Sequence, residues 1–178
     1  MLDRSGNPHI AYLGTIWVDE NQKVDLRYAH RDGSGWHTEI VDSAGMVGYH
    51  ASLALDRSNH PLIVYTEIYH NPTSQLKYAY RDVTGWHFQN LYSFSLAGWG
   101  MQSGSNSLTL DASDRPHTIF CDTNTWGLTY LYQDAAGWHQ ESADDPWDSS
   151  SGQYPSLVLD AAGYPRASHY NYSKAFGN

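Results

Sequence analysis

Cysteine, positive charge and long apolar runs are all scarce in this chain. Its 178 residues include one cysteine, Cys121, which excludes an intrachain disulfide framework and a cysteine-based metal cluster. Lysine and arginine together number 10 against 19 acidic residues, and the net charge of −9 argues against nucleic acid as a partner. No apolar run approaches the ~20 residues of a membrane-spanning helix, so we expect no membrane partner either.

Several chemical signatures are missing as well. The ten histidines include no His-x-His or His-x-x-x-His pair, so we predict no metal site. The chain has no glycine-rich phosphate loop, no Gly-x-Ser-x-Gly elbow and no twelve-residue calcium loop. We therefore predict no cofactor and name no catalytic residue. The first residues lack the basic and apolar regions of a signal peptide, and the sequence assigns no compartment.

The most informative feature of the sequence is a tandem repeat. One motif, Leu-Asp-x-x-x-x-Pro, occurs four times, with copies 53, 55 and 49 residues apart. A second motif, Leu-x-Tyr-x-x-x-Asp-x-x-Gly-Trp-His, occurs three times, with copies 50 and 52 residues apart. Such constant spacing predicts a repeat architecture. The first motif begins at Leu2, Leu55, Leu110 and Leu159, and the second at Leu26, Leu76 and Leu128.

Each repeat contains four strand-like runs, which we label A to D. In the second repeat they are Ser52–Leu55, Pro61–Thr66, Leu76–Tyr80 and Trp86–Leu91. Four short antiparallel strands in a repeat of this length are typical of a β-propeller blade. Strand B is apolar on both faces, as a blade packed between two other blades requires. We predict an all-β fold, a β-propeller; the alternative, a β-sandwich, does not explain the regular repetition.

The repeat divides the chain into about three and a half blades of one partial propeller domain, 1–178. Blade 1 covers about 1–42, blade 2 about 51–92, blade 3 about 106–142, and the half blade about 155–178. Three and a half blades cannot close a ring. We expect a homodimer in which strand A of the half blade completes blade 1 of a second copy, giving six or seven blades. The alternative is a fragment of a longer chain.

The repeated residues are expected to be structural. The aspartate of the first motif can accept hydrogen bonds from backbone amides in the A–B turn. The glycine of the second motif permits the tight C–D turn, and its tryptophan recurs at one position in each blade. The structural repeat residues are Asp3, Asp56, Asp111 and Asp160 in the A–B turns, and Asp32, Trp36, Asp82, Trp86, Asp134 and Trp138 in the C–D turns.

The B–C and D–A loops differ in length between repeats, and variable loops on a rigid scaffold are common binding sites. These loops combine aromatic rings with carboxylates and amides. Such a combination suits sugars, because rings provide apolar platforms and polar groups orient hydroxyls. Alternatively, each aromatic ring fills a gap between blades. The candidate ligand-binding residues are Trp17, Asp19, Glu67, Tyr69, His70, Trp99, Asp122, Trp126 and Trp147.

The C–D segment Tyr28–Trp36 resembles two known patterns. It is similar to the Asp-box of sialidase-type propellers, Ser-x-Asp-x-Gly-x-x-Trp, but it lacks the serine and has Trp36 four rather than five residues after Asp32. It also resembles the repeat of bacterial propeller lectins, which carry a similar Arg, Asp-Gly and Trp run in each blade. The resemblance implies a propeller and carbohydrate recognition. The Asp-box is structural in its own family, so no catalytic residue carries over.

Three functions fit these observations. We favour a non-enzymatic propeller that binds glycans through its variable loops or through grooves between blades. The first alternative is a glycan-active hydrolase or lyase with acidic residues on the same loop face. The second is a structural or protein-interaction propeller, truncated or designed, that self-assembles.

Overall fold

The computed structural model of the protein describes residues 1–18, 21–68, 73–95, 105–125, 127–144 and 153–170. Within these ranges every strand belongs to an antiparallel sheet, which confirms the all-β prediction. The described part contains no helix with the length and apolarity that a membrane crossing would require. The chain divides into two compact units, Met1–Ser93 and Phe94–Asn178.

The first unit contains two sheets. A three-stranded sheet has the order β1-β2-β3 and corresponds to strands B, C and D of blade 1. A four-stranded sheet has the order β4-β5-β6-β7 and forms a complete blade 2. The strands are β1 (His9–Val18), β2 (Asn21–Asp32), β3 (Gly35–Asp42), β4 (Tyr49–Leu55), β5 (Pro61–Glu67), β6 (Thr73–Asp82) and β7 (Gly85–Ser95).

The second unit also contains two sheets. A four-stranded sheet has the order β11-β10-β9-β8 and forms blade 3, and a two-stranded sheet pairs β12 with β13. The strands are β8 (Asn106–Leu110), β9 (Pro116–Asp122), β10 (Gly127–Asp134), β11 (Gly137–Ser142), β12 (Gln153–Leu159) and β13 (Pro165–Tyr170).

The A–B turns are held by the repeated aspartates. In blade 2, Asp56 Oδ1 accepts hydrogen bonds of 2.7 Å from the backbone amides of Ser58 and His60. Asn59 lies between these residues at a φ of 63°, a left-handed conformation that asparagine tolerates. A carboxylate that accepts two amides fixes the turn and directs the chain into the next strand. The same double acceptor occurs at Asp3, Asp111 and Asp160.

Strand B lies at the centre of each core. All residues of β5 and all residues of β9 are buried, in agreement with the apolar character of both faces of strand B. In the first unit, side chains from both sheets pack into one apolar cluster. Its buried members are Leu26, Tyr28, Val41, Val47, Ile63, Tyr65 and Ala79. In the second unit the buried cluster is Ile119, Leu128, Tyr130 and Leu157.

Candidate functional site

The C–D hairpin of blade 1 positions several chemically active side chains. The register pairs Asp32 with Gly35, and Gly35 takes a φ of 128°, a conformation open to glycine. Asp32 Oδ1 accepts hydrogen bonds from the Ser34 amide at 2.8 Å and the Ser34 hydroxyl at 2.6 Å. Two residues further along each strand, His30 stands directly opposite His37. The turn therefore places two imidazoles and one carboxylate on one hairpin.

An open groove of about 280 Å³ lies against this hairpin and reaches blade 2. Arg81 of β6 crosses to β3, where its Nη1 donates a 2.6 Å hydrogen bond to Glu39 Oε1. The Arg81 guanidinium also lies 6.0 Å from the ring of Trp86, which contacts Tyr28 of blade 1 edge-on at 5.8 Å. The groove is lined by His30, Asp32, His37, Thr38, Glu39 and Arg81.

The groove carries a small negative charge. Hydrogen bonds from Ser34 and His37 hold the pKa of Asp32 well below its usual value, so this carboxylate stays ionised. Glu39 balances the charge of Arg81 in the ion pair. The two acids and the guanidinium of the lining sum to one negative charge, which favours neutral or cationic ligands over anions.

Aromatic stacking is repeated along the hairpins of all three blades. In blade 1 the rings of Tyr28, His30 and His37 stack with centroids 5.6 and 5.0 Å apart. The corresponding rings are Tyr78, Tyr80 and His87 in blade 2, and Tyr130, Tyr132 and His139 in blade 3. The middle ring is an imidazole in blade 1 and a phenol in the other two blades.

A second polar cluster is buried at the opposite end of β3, between the two sheets of the first unit. Lys77 Nζ lies 2.7 Å from Asp42 Oδ2 and 3.2 Å from Glu67 Oε2. The Tyr65 hydroxyl donates a 2.6 Å hydrogen bond to Asp42 Oδ2. Burial would lower the pKa of Lys77, but hydrogen bonds and charge from Asp42 and Glu67 outweigh it and raise that pKa. The cluster is well partnered and closed, as a structural element would be.

Three of the predicted ligand-binding residues lie within the described part of the chain, and none of the three lines the groove. Trp17 is 71% exposed near the end of β1. Glu67 and Asp122 end strand B in blades 2 and 3 and are both buried. Glu67 pairs with Lys77, and Asp122 accepts a 2.9 Å hydrogen bond from the Asn124 amide. Six further candidates lie outside the described residues: Asp19, Tyr69, His70, Trp99, Trp126 and Trp147.

The residues that line the groove are not among the ligand-binding residues predicted from the sequence, and Asp32 is predicted there as a structural repeat residue. A local signal existed for His30 and His37, because the Asp-x-x-Gly turn pairs the residue two before the aspartate with the residue two after the glycine. Searching for metal ligands along one strand or helix does not find such a cross-strand pair. Glu39 and Arg81 are 42 residues apart in different blades, so their pairing has no local signal.

No known protein family and no curated protein matches the chain. Among solved structures it is similar to a mutant of NanB sialidase from Streptococcus pneumoniae, with 12% identity and a TM-score of 0.58 over 97% of this chain. A structure of NanB with Optactamide matches 92% of the chain at 12% identity and a TM-score of 0.51. A fucose lectin from Kordia zhangzhouensis, solved with methyl-fucoside, matches 82% of this chain and 97% of its own at 19% identity, with a TM-score of 0.47.

The sialidase likeness bears on the fold. The chain spans 27% of the length of the first NanB structure and 28% of the second. Together with the four-stranded antiparallel sheets, the likeness establishes the predicted β-propeller fold.

Proposed function

We propose that the chain is a non-enzymatic binding propeller that takes a neutral sugar in the groove at Arg81 and Glu39. The observation that carries the proposal is the ion pair between these two residues, set in an open polar groove next to the ring of Trp86. Three properties of the groove support a sugar: its size, its hydrogen-bonding groups and its charge.

The size suits a small ligand. Drug-sized ligands occupy pockets of roughly 300–1,000 Å³. At about 280 Å³ the groove is just below this range, which fits a monosaccharide or one residue of a longer glycan. Because the groove is open, a longer glycan can continue into solvent.

The hydrogen-bonding groups suit adjacent hydroxyls. A guanidinium presents several donors in a planar fork, and a carboxylate presents two acceptor oxygens. The Arg81–Glu39 pair thus offers donors and acceptors side by side to a vicinal diol.

The charge selects among sugars. Arg81 is already paired with Glu39, and Asp32 adds a second carboxylate to the groove. The net negative charge of the groove would repel the carboxylate of a sialic acid, whereas an uncharged sugar would not be repelled. The fold shared with a sialidase supports carbohydrate as the ligand class to test first. The charge of the groove supports a neutral sugar instead of the acidic sugar that a sialidase releases.

A glycan array of neutral and sialylated sugars, read in EDTA, tests the ligand class. We expect neutral sugars to bind and sialylated ones to be weaker, and an array without any binding would overturn the proposal. Isothermal titration of the best sugar then tests the site. Arg81→Ala should weaken binding at least tenfold, and Glu39→Gln, which keeps the shape of the side chain, should also weaken it.

Arg31→Ala is the matched control, because Arg31 holds the same repeat position in blade 1, is exposed and does not line the groove. Equal losses in both arginine variants would contradict the assigned site. Release of a chromophore from aryl glycosides would instead favour the hydrolase alternative.

A further inference from the structure

His30, Asp32 and His37 line one side of the groove, away from the Arg81–Glu39 pair to which the sugar hydroxyls are assigned. One ligand atom from each residue can be chosen so that all three lie within 4.8 Å of one another. Within the described part of the chain this is the one group of three histidine, cysteine or acidic side chains with such spacing. Two imidazoles and a carboxylate are the donors that zinc and its neighbours in the first transition series prefer.

Each residue of this group can offer a donor atom. Within the described residues the hydrogen bonds to Asp32 all fall on Oδ1, which leaves Oδ2 to bind an ion. His30 stacks between His9 and His37, and within the described residues its ring nitrogens make no hydrogen bond. His37 Nε2 lies 3.1 Å from Asp32 Oδ1 and 2.9 Å from the Ser34 hydroxyl, and an ion bound between the three residues would replace these contacts. An imidazole that is held in place by stacking but has no polar partner is prepared for a ligand.

The geometry needs only a modest closure. Donors bound to one zinc ion at ~2.0–2.2 Å can be no more than ~4.4 Å apart, and less in a tetrahedral site. The 4.8 Å spread must therefore shrink slightly. His37 and Asp32 are about half exposed on a hairpin end, so rotation of their side chains can supply this movement. Ser34, which holds Asp32 through two hydrogen bonds, would orient the carboxylate behind the ion.

The other blades show which residue makes the difference. The Asp–His pair is common to all three hairpins, at 3.1 Å in blade 1, 3.0 Å in blade 2 and 2.8 Å in blade 3. The third position holds His30 in blade 1 but Tyr80 and Tyr132 in the others. A neutral phenol is a poor ligand for zinc, so the repeat contains two natural versions of the hairpin without the third donor.

From this arrangement we infer that His30, Asp32 and His37 bind one divalent transition-metal ion, with zinc as the expected ion. The remaining coordination positions are open to water, because the group lies in the open groove. This inference goes beyond the proposed sugar binding, since it requires no glycan.

The test is isothermal titration of zinc chloride into the metal-stripped full chain without sugar. We expect one ion per chain, and His30→Tyr should weaken binding at least tenfold. Tyrosine stands at this position in two other blades, so the variant suits the hairpin. Tyr80→His, added to the His30→Tyr chain, builds the same three donors with Asp82 and His87 and should restore one ion per chain.

Two results would overturn the inference. If the wild-type chain binds no zinc, the site does not exist. If His30→Tyr binds zinc as well as the wild type, the ion is held by other histidines. Failure here is distinct from failure of the sugar proposal, which is measured in EDTA with variants of Arg81 and Glu39.

Discussion

Lys77→Met provides the sharpest test of how the first unit is held together. The change keeps most of the length and the apolar stem of the side chain while removing its charge. In the wild-type chain the ammonium group lies between two acids, 2.7 Å from Asp42 and 3.2 Å from Glu67. All three side chains are at least 88% shielded from solvent. The variant therefore leaves two buried carboxylates facing an apolar group.

The expected cost is large. Removing one partner of a buried ion pair destabilises proteins by ~3–5 kcal/mol, because the remaining charge is uncompensated. Because Lys77 forms ion pairs with two carboxylates, we expect a loss of stability in the upper half of this range. With a urea m-value of ~2 kcal/mol/M, a loss of ~4 kcal/mol lowers the unfolding midpoint by ~2 M.

Between pH 7.5 and 5 the variant should acquire a pH dependence that the cluster does not give the wild-type chain. In the wild-type chain burial would raise the pKa of Asp42, but hydrogen bonds from Lys77 and Tyr65 outweigh it and lower that pKa. This contribution to stability is present above the unfolded pKa of ~3.9 and is lost as the pH falls through the lower folded value. Without Lys77, two buried carboxylates repel each other, and uptake of a proton becomes favourable in the folded state. Lys77→Met should therefore gain stability on acidification from pH 7.5 to 5.

Urea unfolding followed by circular dichroism at pH 7.5 and pH 5 measures both effects. Lys23→Met is the control, because Lys23 is an exposed lysine in β2. We expect Lys23→Met to stay within ~0.5 kcal/mol of the wild type, as surface substitutions usually do. A loss below ~1 kcal/mol in Lys77→Met at pH 7.5, or equal stability at both pH values, would refute the argument.

Three further predictions concern other parts of the chain. Gly48→Ala should lower the free energy of unfolding in urea by more than ~1 kcal/mol, because the φ of Gly48 is 95° and a Cβ there would lie 2.9 Å from the backbone of β2. Gly33→Ala is the control: a Cβ at Gly33 meets open space, so this variant should be as stable as the wild type. Burial raises the pKa of Cys121 to about 11, so Ellman's reagent should react only after unfolding. Trp36 and Ile40 are exposed apolar side chains on blade 1, and they favour self-association. Light scattering should therefore give a molar mass about twice the chain mass of 20.0 kDa, and a mass of 20.0 kDa would contradict this prediction.

The strands and turns could be predicted because their signals are local and repeated. The runs predicted for the second repeat, Ser52–Leu55, Pro61–Thr66, Leu76–Tyr80 and Trp86–Leu91, all lie within β4 to β7. A turn aspartate acts on amides two and four residues ahead, so the sequence contains the whole interaction. Four copies of one turn also make a chance match implausible.

Contacts between blades could not be predicted in the same way. Asp42 and Lys77 are 35 residues apart in the sequence. They meet because strand D of blade 1 packs beside strand C of blade 2. Glu67 shows the consequence. Glu67 follows the predicted strand B, so the sequence places it in a binding loop, whereas β5 includes it and buries it against Lys77. An error of one residue in the predicted end of strand B therefore turns a buried structural acid into an apparent ligand-binding acid.

The repeat also shows where function is best sought in such a chain. A residue that recurs at the same position in every blade has a shared structural cause, as Asp32, Asp82 and Asp134 do in their turns. A residue that departs from its copies needs another explanation. His30 replaces a tyrosine without loss of the ring stack, so stacking alone does not require an imidazole there. Exchanging this residue between blades separates the structural requirement from the chemical one, because the scaffold is the same in both places.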